Sequence, residues 1–208
     1  MKQKKIFRHQ LLVKLSQTNP LVAISLYYII SLGIAAYGIY VLSWNQLSGL
    51  ISVLFLLGGV LVFSLVEYAM HRFLYHSGKD YKDEENWQYK VHGIHHDLPH
   101  EEDLLALPIP LALVIVFLFY LLFASLVGEY VYFFFPGFLS GYATYLLIHY
   151  KIHTSKPPQN KLKYLWKHHM THHFSHDDKA YGVSSPLWDI VFGTMPGKSS
   201  RRRARRLK

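Results

Sequence analysis

The chain has 208 residues, of which 51% are hydrophobic and only 17% charged; a soluble domain of this length carries about a quarter charged residues. Its net charge of +9 sits at the ends: residues 1–19 hold five cations and no acid, residues 190–208 hold seven and no acid, and the stretch between is net −3. Basic tails on a weakly acidic body argue against a nucleic-acid partner. The absence of cysteine excludes a disulfide scaffold, iron–sulfur clusters and thiolate zinc sites.

In chain order, the basic N-terminal segment 1–19 spaces Phe7, Leu11, Leu12 and Leu15 among cations. It reads either as an amphipathic helix on a membrane surface or as a frayed tail, and as an uncleaved anchor, since its apolar run begins late and lacks a small-residue cleavage site. Between Lys14 and Glu67 lie 52 residues without a formal charge. One helix of that length would reach about 78 Å against a hydrocarbon core of about 30 Å, so two spans are expected, near 20–42 and 47–68, joined at Ser43-Trp44-Asn45-Gln46. Gly33, Gly38, Gly49, Gly58 and Gly59 would let this first hairpin close tightly. A second uncharged run fills 104–128, opened by Pro108 and Pro110, and a further apolar block fills 130–150. The expected fold is an all-α, polytopic membrane protein: four transmembrane helices in two hairpins, with a cytosolic helical cap, all in one domain over 1–208.

The short turns 43–46 and 127–129 carry no Lys or Arg, whereas the N-terminal segment, 72–90 and everything after 151 carry them all. The positive-inside rule then puts both termini in the cytoplasm. That is the inner membrane of a bacterium, or the endoplasmic reticulum of a eukaryote. The tail 196–208 ends in RRRARRLK and reads as a disordered segment attracted to anionic membrane lipid.

Histidine, at 14, outnumbers the 13 acids. Ten lie in four clusters: His71 and His76; His92, His95 and His96; His149 and His153; His169, His172 and His173. Spacings of three and four place side chains on one helical face. His71 and His76 are five apart, about 140° around a regular helix, so one helix could reach two neighbouring metals with them. Neutral imidazole is the commonest side-chain metal ligand, and a shared cation is the simplest way to tolerate so many crowded rings. Ten ligands are too many for one ion, and two ions with about five each use them all. The clusters follow spans two and four on one predicted side, whereas a transporter places its ligands near mid-membrane.

HRFLYH, HGIHH, HYKIH and HMTHH, in that order, resemble the histidine boxes of the fatty acid hydroxylase/sterol desaturase superfamily, closest to its fatty acid 2-hydroxylases. Glu67-Tyr68, Leu98-Pro99 and YGVSSPLWDIVFGT at 181–194 look like that branch too. The stretch Leu104–Pro110 lacks the Arg usual after the second box. The resemblance implies that all ten histidines are metal ligands and that the centre is dimetal, with iron expected and zinc possible in a purified form. It also implies an O2-dependent monooxygenase that hydroxylates long acyl chains of fatty acids or sphingolipids at C2. An external electron donor (cytochrome b5-like, ferredoxin or reductase) would supply reducing equivalents. The alternatives are a desaturase or a sterol or carotenoid hydroxylase of the same superfamily, and a non-catalytic metal-binding or transport membrane protein. His9, His100, His168 and His176 fall outside the pattern; His168 and His176 are expected at the surface, the alternative being donors that support the ligands from behind. Glu67, one turn before His71, could orient a ligating imidazole, or snorkel or cap its helix, and Asp97, Asp177 and Asp178 read as solvated loop residues or as further carboxylates behind the ligands.

Overall fold

The computed structural model describes residues 18–42, 49–77, 83 and 85–197. The N-terminal segment through residue 17, the turn at Ser43-Trp44-Asn45-Gln46 and the cationic tail from Lys198 lie outside the described residues. The described residues are all-helical, with no strand. The helices are α1 (Pro20–Val41), α2 (Gly49–Ala69), α3 (Ile94–Asp97), α4 (Ile109–Val127), α5 (Val131–Thr154), α6 (Lys163–Phe174) and α7 (Leu187–Val191).

Local chemistry sets the ends. Asn19 caps α1, its Oδ1 accepting from Leu21 N at 2.9 Å, and Pro20 enters at the first turn, where its missing N–H costs nothing. The second uncharged run, 104–128, was expected to form a membrane helix, but α4 begins only at Ile109. Leu104 ends a 3-10 turn, and Leu107, preceding Pro108, is pushed out of the helical region, while Pro110 enters α4 in its first turn, where its missing N–H costs nothing. α5, conversely, runs four residues past the expected end at 150, so His149 and His153 share one helix.

Three stretches are long and apolar enough to cross a membrane by length and composition: Pro20–Val41, Gly49–Tyr75 and Glu102–Thr154. The third has 53 residues and contains both α4 and α5. Between them Gly128 adopts φ 56°, open to glycine at little cost, and Gly128–Tyr130 forms a 3-10 turn.

Ring contacts give the helix directions. Phe119 meets Phe138 at 5.1 Å and Phe123 meets Phe134 at 4.8 Å, so α4 runs antiparallel to α5. Tyr27 meets Tyr142 and Tyr37 meets Tyr132, so α1 is also antiparallel to α5. Phe55 on Tyr130 and Phe63 on Phe138 advance together, making α2 and α5 parallel. α5 is thus the central helix, and it buries Phe135, Leu139 and Ala143 almost completely.

The glycines serve this centre instead of the first hairpin. A Cβ on Gly59 would overlap the Phe134 carbonyl of α5, one on Gly137 the Leu56 carbonyl of α2, and one on Gly38 the Tyr132 side chain. Gly33 and Gly49 face open space. Small residues that let backbones touch are how helices associate where no hydrophobic force drives them together. Outward, Leu32, Tyr40, Leu50 and Leu126 are exposed, a surface suited to lipid. Because α2 and α5 are parallel, their C-terminal ends and the histidines they carry lie at the same end of the bundle.

Candidate metal centre

The ten histidines form two clusters of five. His71, His76, His92, His96 and His172 make the first; His95, His149, His153, His169 and His173 make the second; within each, one ring nitrogen per residue lies within 4.8 Å of all the others. The division is built from helix geometry. On the second box His92 and His96, one turn apart, serve the first cluster while His95 serves the second. The fourth box, on α6, reverses this: His169 and His173 serve the second cluster and His172 the first.

The first box departs from expectation. Five residues on a regular helix would separate His71 and His76 between two metals, yet both join the first cluster. The reason is that Met70–Tyr75 is a π-helical turn in which His76 N donates to His71 O at 3.2 Å. Bonding from i to i+5 widens the turn and brings residues five apart back toward one face, a distortion frequent at functional sites. The second box begins in a π turn as well, Tyr89–Gly93. Gln88 joins the two boxes, its Nε2 donating to Leu74 O at 2.6 Å and Ser77 O at 3.1 Å.

The nitrogens face one another. His172 Nε2 lies 3.1 Å from His76 Nε2, His96 Nε2 3.0 Å from His92 Nε2, and His169 Nε2 2.9 and 3.0 Å from those of His153 and His173. Burial, reinforced by neighbouring imidazoles, pushes His92, His95, His169, His172 and His173 well below the ordinary histidine range. His96 is pushed down to about 2 by the same causes, burial first. A set of neutral imidazoles with lone pairs converging at this distance suits a cation and little else, so each cluster could hold a metal ion.

A second ring of contacts fixes these rings. His71 Nδ1 donates to the Tyr181 carbonyl at 2.5 Å and His172 Nδ1 to the Lys179 carbonyl at 2.8 Å. A carbonyl can only accept, so the proton stays on Nδ1 and Nε2 turns its lone pair toward the cluster. Glu67 does not orient an imidazole directly. It is buried, and it accepts from Val183 N at 2.7 Å, Ser184 N at 3.0 Å and the Ser184 hydroxyl, fastening the loop that supplies those carbonyls.

His168, expected at the surface, is buried and donates to Asp189 Oδ2 at 2.9 Å. Asp189 is the residue sequence reasoning missed, although it lies within the quoted segment 181–194. It is fully buried. Burial alone would raise its carboxyl, but hydrogen bonds, led by those from His168 and Thr194, hold it below the usual carboxylate range. Asp97 is no bare solvated acid, since its Oδ2 accepts from the Tyr89 hydroxyl at 2.7 Å. His176 is partly exposed, 3.8 Å from Asp178. His100 Nδ1 lies 3.3 Å from the carbonyl of His153, and His9 lies outside the described residues.

Beneath the clusters is an apolar cavity of about 180 Å³ between α2, α4 and α5. Phe63, Phe119, Phe138 and Leu139 line its depth, the Leu104–Leu107 stretch lines it further, and His71, His92, His95 and His149, from both clusters, also face it.

The family description of fatty acid hydroxylases matches residues 56–194, which carry all four boxes and the loop beyond them. The chain belongs to the fatty acid hydroxylase family. It is 39% identical to a dihydroceramide fatty acyl 2-hydroxylase of Arabidopsis thaliana over 67% of this chain and 59% of that protein. It is 40% identical to the ceramide very long chain fatty acid hydroxylase of Saccharomyces cerevisiae over 67% of this chain and 37% of that one. A solved structure of full-length Scs7p, with only the hydroxylase domain visible, superposes with a TM-score of 0.77 at 32% identity, covering 88% of this chain and 69% of that one. The matched part of this chain therefore corresponds to less than two thirds of the length of these curated relatives.

Proposed function

We propose that this chain is a membrane-bound dimetal monooxygenase that hydroxylates long acyl chains of fatty acids or sphingolipids at C2. The observation that carries this reading is the apolar cavity, whose wall includes histidines of both clusters. An acyl tail laid among Phe63, Phe119 and Leu139 would present a C–H bond near its head to the histidine end. The names of the relatives point to the same substrate class: acyl chains, free or in ceramide.

The ten histidines would hold two ions, five each, and iron there would supply the reductive activation of O2. The rest falls to the chain. Phe63, Phe138 and Leu139 exclude water and align the tail. The loop carbonyls of Lys179 and Tyr181 hold the imidazole protons of His172 and His71 away from the ions. One oxygen atom enters the C–H bond as hydroxyl and the other leaves as water, with two electrons and two protons drawn from an external cytochrome b5-like, ferredoxin or reductase donor. A transport role would need ligands at mid-bundle, whereas the clusters sit where α2 and α5 end. In the membrane, α1, α2, α4 and α5 are four spans in two hairpins, with the histidine end and both termini cytoplasmic, as the distribution of Lys and Arg supports.

Lipid mass spectrometry of host cells with and without the chain tests this: acyl chains one oxygen heavier are expected. His172→Ala should lower that product by about two orders of magnitude or more, at matched amounts of membrane-inserted protein. His9→Ala should leave it near wild type. Retained turnover in His172→Ala would overturn the reading.

A further inference from the structure

The two clusters differ in what their outer ring nitrogens meet. In the first, two of the five, His71 and His172, donate to backbone carbonyls. In the second, Nδ1 of His153, His169 and His173 and both ring nitrogens of His95 and His149 are buried with no hydrogen-bond partner in the protein. Outer partners of this kind fix ring orientation and raise ligand basicity, commonly by about 10–100-fold in metal affinity.

The two accepting carbonyls flank Ala180, which is buried with φ 60°. Left-handed backbone is unfavourable for a residue with a Cβ, and such a residue persists only where its surroundings over-determine it. Here they do. Asp189 Oδ1 accepts from Tyr181 N at 2.9 Å and Thr194 Oγ1 at 2.7 Å, and Oδ2 accepts from Gly182 N at 2.8 Å and His168 Nε2 at 2.9 Å. Ala180 N itself donates to Thr194 O at 3.0 Å. The carboxylate thus fixes the backbone on the far side of the carbonyls, and touches no member of either cluster.

We propose that Asp189 is a positioning residue for the first metal site alone, acting through the strained loop 179–184. It rests on the metal-binding reading above, and makes the two sites unequal: the ion held by His71, His76, His92, His96 and His172 is the tightly retained one. The second site's rings are carried by α3, α5 and α6; Asp189 reaches them only through His168 on α6, and none of them donates to the loop carbonyls.

The test is metal content of the purified full chain, dialysed against graded chelator, with no activity measured. Wild type should hold two ions and release them in two steps separated by about 10–100-fold in chelator. Asp189→Asn keeps the size but points an amide N–H at groups that are already donors. It should lose the tight step and hold one ion. Adding His153→Ala should remove the remaining ion, and adding His76→Ala should not. Gly182→Ala, whose Cβ would overlap the Ser185 carbonyl and approach Asp189 Oδ2 at 3.0 Å, should reproduce the single-site loss without changing a charge. Thr194→Val, removing one donor, should weaken the tight step partially and decides the matter if Asp189→Asn does not fold. Ile24→Ala, a general destabiliser in the buried face of α1, should lower the melting temperature yet keep both ions. A folded Asp189→Asn with both ions at wild-type retention, parallel loss of both, or one-step release from wild type would overturn the inference. A wild type that binds no metal would instead overturn the metal-binding reading itself.

Discussion

At the scale of single residues, the histidine boxes were legible because their spacing is local, while the residues that aim them were not. Asp189 meets Tyr181, Gly182, Thr194 and His168 through a folded loop, and no helical or strand period marks such a meeting. His168 looked like a surface residue for the same reason: its only signal is a partner 21 residues away. The depressed histidines also give a pH dependence. With metal stripped, the folded state keeps His92, His95, His96, His169, His172 and His173 neutral, whereas the unfolded chain protonates them below about 6.5. The unfolded state then binds more protons, so stability rises with pH through this window and is lost as pH falls. For His96 the window extends down to about 2. The melting temperature of the metal-free protein, measured from pH 8 to 5, should be flat above 7 and fall below 6.5; a constant value would contradict neutral burial.

At the scale of elements, the apolar runs marked four helices correctly, and the error lay in what the glycines and the first box do. A glycine pattern in α1 and α2 suggested that these two close on each other, but a glycine does not name its partner. Gly59 and Gly38 meet α5. Gly59→Ala should therefore push α2 from α5, and overpacking of this kind costs about 1–3 kcal/mol. Gly49→Ala, with nothing within 4 Å, should be silent. Thermal unfolding in detergent compares the two, and equal effects would refute the α2–α5 backbone contact. The allocation of His71 and His76 to one cluster was also hidden, since the π turn at Met70–Tyr75 follows from where the neighbouring boxes sit, not from the six residues themselves.

At the scale of the whole molecule, the chain offers a clean topology experiment because it contains no cysteine. Single cysteines at Glu129 and Ser155, both exposed, lie at opposite ends of α5. In sealed vesicles an impermeant thiol reagent should label them from opposite sides, Ser155→Cys from the cytoplasmic one. Labelling of both from one side would exclude α5 as a span. The parallel contact of α2 and α5 reaches further than stability. Gly59 precedes His71 by twelve residues and Gly137 precedes His149 by twelve, so both boxes stand about 18 Å beyond the same crossing. The membrane helices act as matched rulers that set the height of the chemistry. One residue inserted between Gly59 and His71 would turn that box by about 100° and lift it about 1.5 Å, detuning the first cluster with every ligand still present. Over this interval the chain can exchange side chains but not change its length, which makes metrology, not composition, the constraint on how such a protein can vary.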